Sequence, residues 1–312
     1  MSTRWLAITV VATSIIQLAT LAVFFQGPRS PRDSSTISTA PPSADDERAL
    51  PHVKRWRYQH RMKVVAFTLY GNRDMDMRGA LENAISVPLM FLGWQARFYV
   101  DNTVSREHVA QLENAGAQVI HVDDSMASWG ESRRMWRFMA LADPDVEYVM
   151  IRDSDSRVSA REVAAVNEWL QSNATFHIMR DHPYHSVPIL GGMWGAYVPG
   201  ANRYLDVGQS VLDWVKETGH FAGKSNDQEW LRHRLWPYAR WDCVDQDAFA
   251  CGTYNDLSKT FPLVRSSMCE YVGFVDETDY SPHCQYHVNG HAAFDGVESP
   301  PHCRLRPEYT FG

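Results

Sequence analysis

Asp153-Ser154-Asp155 is the triplet in this sequence best suited to chemistry. It follows the apolar run Val146–Ile151 (VEYVMI), which reads as a buried strand. Two carboxylates one residue apart, just past such a strand, cannot both point into the core. In a turn, their side chains can converge on one hard cation. Mg2+ and Mn2+ favour oxygen ligands and share them readily with a diphosphate. The ion then neutralises charge that builds on a departing nucleoside diphosphate. A solvated acidic turn is the plain alternative. Arg152 and Arg157 flank the pair and either contact phosphate or tether the carboxylates.

Other chemistries fit less well. In aspartyl phosphatases the first Asp of a D-x-D-x-Thr/Val pattern is a nucleophile on the first strand. Here Ser156-Arg157 follow, and the motif lies on the fourth predicted strand. No G-x-G-x-x-G follows the first strand, and neither a P-loop nor G-x-S-x-G occurs. Two further stretches stand out. In LGGMWG (190–195), Gly191 and Gly192 let backbone approach a bulky ligand, or simply make a tight turn into a strand. In the preceding MRDHPYH (179–185), His182 and His185 read as hydrogen-bonded loop histidines rather than metal ligands. In Ser225-Asn226-Asp227-Gln228, Ser225 or Asn226 caps the helix that follows and Asp227 favours its positive end. That reading leaves Gln228 without a role.

The elements that must position these residues alternate between strand and helix. Strands are expected at Lys63–Tyr70, Gln95–Asp101, Gln118–Val122, Val146–Ile151 and Thr175–Met179. Helices are expected up to about Phe91, from Ser105 to about Ala115, over Glu131–Ala142 and over Ser159–Gln171, with Ser159 and Glu162 as a capping box. This rhythm implies an α/β fold with a mostly parallel sheet flanked by helices. Ligands of such sheets bind beyond the carboxyl ends of the strands, where Asp153 and Asp155 lie.

Taken together, VVAFTLYGN, FYVD, MWRFMA, IRDSDSR, REVAAVNEWL, FHIMRDHPYH and LGGMWG resemble a family of glycosyltransferases with the GT-A, Rossmann-like fold, over roughly residues 63–275. The resemblance implies an enzyme that moves a sugar from a nucleotide-diphosphate sugar, of the uridine type, with Mn2+ or Mg2+. It implies that Asp153 and Asp155 bind the metal and that Arg137, Arg152 and Arg157 hold phosphate or sugar hydroxyls. Asp181, Gly191 and Gly192 would shape the sugar pocket. Asn226-Asp227-Gln228 is similar to the Asp-Gln motif of glycogenin-type retaining transferases, which implies that Asp227 and Gln228 sit at the reacting carbon. The resemblance also implies a late metal ligand in a His-Asp-Ser/Ala-Phe-like element. Gln246-Asp247-Ala248-Phe249 occupies it here, leaving Asp247 as the third ligand, with His283 and His287 as alternatives. A glycan, protein or lipid would be the acceptor. A lectin-like module without turnover and an aspartate-dependent phosphatase remain the competing classes.

The N-terminus suggests a location. After the four-residue tail 1–4, Trp5–Phe25 is 21 residues without a charge, enough to span a bilayer. Arg4 precedes it and Arg29 and Arg32 follow, a charge bias that leaves orientation open. Residues 26–52 are rich in Pro, Ser and Thr and read as a flexible stem. The expected arrangement is a single-pass signal-anchor with residues 53–312 as a lumenal or extracytoplasmic catalytic domain, in the Golgi or endoplasmic reticulum of a eukaryote. A cleaved signal peptide is the alternative. A net charge of -7 argues against a nucleic-acid partner. The five cysteines all lie from Cys243 onward and allow up to two disulfides in an oxidising compartment.

Overall fold

The computed structural model describes residues 61–218, 226–265, 271–275 and 298–308, all within one compact unit, Lys54–Gly312. The predicted span 5–25 and stem 26–52 lie outside the described residues, as do Ser225, Cys269, Cys284, His283 and His287. Among the described residues no helix is long and apolar enough to cross a membrane.

The chain runs β1 (Met62–Leu69), α1 (Asp74–Met90), β2 (Trp94–Val100), α2 (Arg106–Asn114), β3 (Gln118–His121) and the short α3 (Asp124–Ala127). A 3-10 helix over Gly130–Ala142 leads to β4 (Val146–Arg152), α4 (Ala160–Gln171) and β5 (Phe176–Arg180). Then come β6 (Met193–Tyr197), α5 (Val198–Tyr204) and α6 (Val207–Thr218). The last described segment of regular structure before the C-terminal loops is α7 (Asn226–Trp230), a π-helical turn (Leu231–Leu235), α8 (Trp236–Ala239) and β7 (Cys243–Asp247).

The seven strands form one sheet in the order β3-β2-β1-β4-β6-β5-β7. β6 is antiparallel to both its neighbours, and every other pairing is parallel. The sheet is therefore mostly parallel, as the alternation of strands and helices predicts. Strands β1 and β4 are apolar along both faces, as strands covered on two sides must be. Val64, Ala66, Val149 and Ile151 pack on one face under the 3-10 helix and α7, where Phe138 meets Trp194 and Trp230 at 5.4 and 5.3 Å between ring centroids. Val65, Phe67 and Met150 pack on the other face against α1.

Three local differences from the sequence reading have physical causes or clear geometry. The helix over Gly130–Ala142 has the tighter 3-10 winding rather than the α form. At the start of α4, the Ser159 hydroxyl accepts from the Glu162 amide at 3.2 Å, but the Glu162 carboxylate does not reach back to complete a capping box. It is taken by Arg152 at 2.5 Å. Strand β7 was not among the expected strands. Its side chains are buried with partners inside the fold. A disulfide joins Cys251 to Cys303, and Cys243 is a free, partly buried thiol.

Candidate functional site

β1 lies between β2 and β4, where the connections leave in opposite directions along the sheet. That is the switch point at which open α/β sheets bind ligands. A cleft of about 550 Å3 opens there, between the carboxyl ends of β1 and β4. Its floor includes Arg137, Asp153, Ser154 and Asp155, and its rim includes Tyr70, Arg73 and Asp76.

The turn after β4 is fastened from several sides. The Asn83 amide on α1 donates to the carbonyls of Ser154 and Ser156 at 3.1 and 2.8 Å. The Ser156 hydroxyl donates to the Asp153 carbonyl at 2.9 Å. α1 approaches this turn closely enough that a Cβ on Gly79 would overlap the Ser154 carbonyl. Arg157 donates to the Asp155 carbonyl at 2.9 Å and pairs with Glu82 at 2.5 Å, so it tethers the turn.

Arg137 organises the carboxylates. It enters on the 3-10 helix, whose backbone is pinned to the end of β1 by a bond from the Arg137 amide to the Thr68 hydroxyl at 3.2 Å. The buried guanidinium donates through Nη1 to Asp153 Oδ1 at 2.5 Å and to the Arg152 carbonyl at 2.8 Å. Its Nη2 reaches Asp227 Oδ2 at 3.4 Å. One cation thus bridges the end of β4 and the start of α7, itself 90 residues from Asp227 in sequence.

The glycine pair completes this wall. β6 runs antiparallel to β4 with Met193 opposite Arg152, which brings Gly192 alongside Asp153. A Cβ on Gly192 would overlap the Asp153 carboxylate, and one on Gly191 would fall 2.5 Å from Asp227 Oδ2. These two positions therefore have to be glycine for steric reasons, not for a special backbone angle.

Electrostatics separates the three acids. Asp153 is half exposed but sits at the bottom of the concave cleft. Enclosure alone would raise its pKa, and the Arg137, Arg134 and Arg152 charges outweigh this and hold the carboxyl below the usual range. Asp155 is pushed upward by desolvation and then by the charges of Asp153 and Asp76, against Arg73 at 3.4 Å and a backbone hydrogen bond. Asp227 is likewise raised, by burial first and by Asp153 next, against Arg137. Crowded carboxylates of this kind favour a divalent cation, and their hard oxygens suit Mg2+ or Mn2+. Among the described residues, no third His, Cys, Asp or Glu clusters with the pair to complete a metal site. Such ions commonly retain water and phosphate oxygens in the remaining positions.

Arg137, Asp153, Asp155, Asp227, Gly191 and Gly192 are thus brought together. Five other expected site residues are not. Arg152 is buried and points into the fold, bonding Glu162 and the carbonyls of Ile151 and Trp194. It holds α4 and is not directed at a phosphate. Arg157 is spent on tethering. Asp181 is fully buried, paired with Arg161 at 2.9 Å and Arg265 at 2.5 Å, and accepts the Val272 amide. It is a structural anion and does not shape the cleft. Asp247 closes β7, which is separated from β4 by β6 and β5. Three strand spacings amount to roughly 14 Å. Both of its oxygens are engaged, one by Arg180 at 2.6 Å and the other by the amides of Phe249 and Ala250. It is not a third ligand for Asp153 and Asp155. Gln228 does not line the large cleft. It lines a second, smaller one. His185 and His182 accept the amides of Asp181 and Tyr184, as expected of loop histidines.

The residues that sequence reasoning missed are Tyr70, Arg73, Asp76 and Asn83. The signal available for them was position. They follow β1, the strand at the switch point, and the Gly71-Asn72 turn marks its exit.

No family model matches the chain, and no curated protein matches it. Solved structures similar to it include one described as a mycobacterial protein, at 15% identity and a TM-score of 0.33, covering 50% of this chain and 61% of that one. Another is glucosyl-3-phosphoglycerate synthase from Mycobacterium tuberculosis in complex with uridine diphosphate, at 16% identity and a TM-score of 0.34, covering 53% and 69%. The same synthase with Mn2+, UDP-glucose and phosphoglyceric acid is similar at 14% identity and a TM-score of 0.35, again covering 53% and 69%. The chain thus spans less than two thirds of the first of these.

Proposed function

We propose that this chain is a metal-dependent glycosyltransferase that transfers a sugar from a nucleotide-diphosphate sugar, of the uridine type, to a glycan, protein or lipid acceptor. The observation that carries this reading is the convergence of Arg137, Asp153 and Asp155 at the cleft between β1 and β4, with Asp227, Gly191 and Gly192 packed against Arg137 and Asp153. Asp153 and Asp155 would hold Mn2+ or Mg2+. The ion supplies charge neutralisation for the diphosphate.

The chain's own residues have distinct tasks in this scheme. Arg137 keeps Asp153 ionised and aimed into the cleft. Gly191 and Gly192 leave room for the Asp227 and Asp153 carboxylates themselves, and so keep both acids in place. The acceptor hydroxyl oxygen bonds to the anomeric carbon as the bond from that carbon to the diphosphate breaks, its electron pair leaving with the nucleoside diphosphate. Asp227 either takes the hydroxyl proton, or holds sugar hydroxyls while that proton passes to the departing diphosphate oxygen, and the anomeric configuration of the first-formed product distinguishes these roles. The chain would carry this domain on an N-terminal membrane anchor at 5–25, on the lumenal or extracytoplasmic side.

A panel of nucleotide-sugars, assayed for donor cleavage and for thermal stabilisation with and without Mn2+, tests the proposal. At least one donor should stabilise the protein in a Mn2+-dependent way and be cleaved. If no nucleotide or nucleotide-sugar binds with Mn2+, the reading fails.

A further inference from the structure

A second cleft, of about 210 Å3, is lined in part by Pro188, Ile189, Gln228, Glu229, Arg232 and Tyr254. Both of its walls continue into the first site. Ile189 precedes Gly191 by two residues, and Gln228 directly follows Asp227, whose Oδ1 accepts the Gln228 amide at 3.0 Å.

One buried side chain fixes the two walls. Arg180 on β5 donates through Nη1 to the Pro188 carbonyl at 2.5 Å, and its guanidinium carbon lies 5.1 Å from the centre of the Tyr254 ring. Its remaining nitrogens are held by Asp245 and Asp247 on β7 at 2.5 and 2.6 Å. The buried Asp245–Arg180–Asp247 group, which takes no part in the first cleft, therefore sets the shape of the second. A site whose walls are locked from behind in this way is pre-organised for a ligand.

Gln228 Oε1 is buried and has no hydrogen-bond partner among the described residues. A buried acceptor left unpaired costs about 1–3 kcal/mol, so native proteins rarely keep one without a use. It calls for a ligand that donates an O–H or N–H. The surrounding groups narrow the choice. Pro188, Ile189 and the Tyr254 ring are apolar, while Glu229 and Arg232 stand exposed at the rim. An apolar wall beside hydrogen-bonding groups matches a sugar ring, whose C–H face and hydroxyls need both. The volume is below the roughly 300 Å3 at which pockets for drug-sized ligands begin, so it suits a single ring. A lipid tail would leave Gln228 Oε1 unpaired.

We propose that this second cleft is the acceptor subsite and that the acceptor is a saccharide, its terminal ring held between Tyr254, Gln228 and the rim pair Glu229 and Arg232. The proposal rests on the glycosyltransferase reading and narrows its acceptor to a glycan.

Saturation-transfer NMR on the full-length chain in detergent, saturated with Mn2+ and uridine diphosphate, tests it with the methyl glycosides of glucose, galactose, mannose and N-acetylglucosamine as probes. At least one glycoside should bind. Glu229→Ala and Arg232→Ala should each weaken it by about tenfold, the loss expected for one hydrogen bond to a charged group. Their affinity for uridine diphosphate with Mn2+ should stay at the wild-type value. Tyr254→Ala should abolish glycoside binding. Should that variant fail to fold, the two exposed rim substitutions still decide. The proposal is overturned if no glycoside binds the wild type, or if the rim variants bind glycoside as the wild type does. Glycoside binding without any binding of uridine diphosphate would sink the donor reading instead and leave the cleft a saccharide site.

Discussion

Gly192 lies against Asp153 so closely that a Cβ at position 192 would overlap the aspartate carboxylate. The contact follows from sheet register, since β6 pairs antiparallel with β4 and sets Met193 opposite Arg152. Gly192→Ala should therefore displace the Asp153 carboxyl from Arg137 and from the cleft. Mn2+-dependent binding of uridine diphosphate, measured calorimetrically, should fall by at least about tenfold, equivalent to 1.4 kcal/mol. Circular dichroism should stay native. Wild-type affinity in this variant would show that the glycine serves only the strand turn.

The two acids of the turn differ in their surroundings, and their amide variants should differ in stability but not in metal binding. Asp153→Asn and Asp155→Asn should each weaken Mn2+ by more than about 100-fold, beyond the usual range for outer-shell partners. Asp153→Asn also removes the 2.5 Å partner of buried Arg137 and should be the less stable protein. Asp247→Asn serves as the contrast. Its carboxylate is bound to Arg180 inside the fold, so metal affinity should be unchanged while the urea midpoint drops. Mn2+ titration followed by electron paramagnetic resonance reads all three.

The parallel sheet and the acidic turn were legible because their signals are local. A run of apolar residues in β4 ends at two carboxylates, and that boundary needs no knowledge of the rest of the chain. The partners of Asp181 and Asp247 gave no such signal. Arg265 stands 84 residues from Asp181, and Arg180 stands 67 residues from Asp247. Only the folded chain shows that these acids are neutralised from within. The same fact hid β7, whose two acidic residues are neutralised by Arg180 from the neighbouring strand. Arg152 misled for a related reason. It sits next to Asp153 in sequence, but side chains alternate along a strand, and its own faces the core and Glu162. Arg137 was expected to hold phosphate or sugar, and the structure gives it a further task, binding two carboxylates together.

Asp181 provides a test of stability against function. Its carboxylate is fully buried between Arg161 and Arg265, and it also accepts the Val272 amide at 2.9 Å. Removing one member of a buried ion group leaves its partners uncompensated, at a cost of about 3–5 kcal/mol. Asp181→Asn should lower the unfolding free energy by that order in urea denaturation. At a temperature where the variant is folded, its affinity for uridine diphosphate with Mn2+ should match the wild type. A stable variant with weakened nucleotide affinity would return Asp181 to the sugar pocket.

His177 predicts how stability depends on pH. The ring is fully buried on β5, stacked on Trp169 at 5.2 Å, and its Nε2 lies 2.7 Å from Gln246 Oε1. Gln246 in turn donates to Glu168 at 2.7 Å, which orients the amide so that Nε2 of His177 carries the proton. Nδ1 is buried without a partner among the described residues. Burial, with the Arg152 and Lys259 charges adding to it, lowers the pKa from 6.5 to about 3. Between these values the unfolded chain takes up a proton that the folded chain refuses, so acid favours unfolding. The contribution is absent above pH 6.5, grows as pH falls, and levels off below about 3, reaching about 2 kcal/mol at pH 5. His185 is lowered to about 3 as well, by burial and by His182, and adds a second loss in the same window. His177→Gln keeps a donor for Gln246 and cannot titrate. It should be less stable than the wild type at pH 7, because the stack on Trp169 is lost. Its stability should then fall by about 2 kcal/mol less than that of the wild type between pH 7 and pH 5. Urea denaturation at the two pH values measures the difference. An unchanged pH dependence would mean that the folded state protonates His177 near its ordinary pKa.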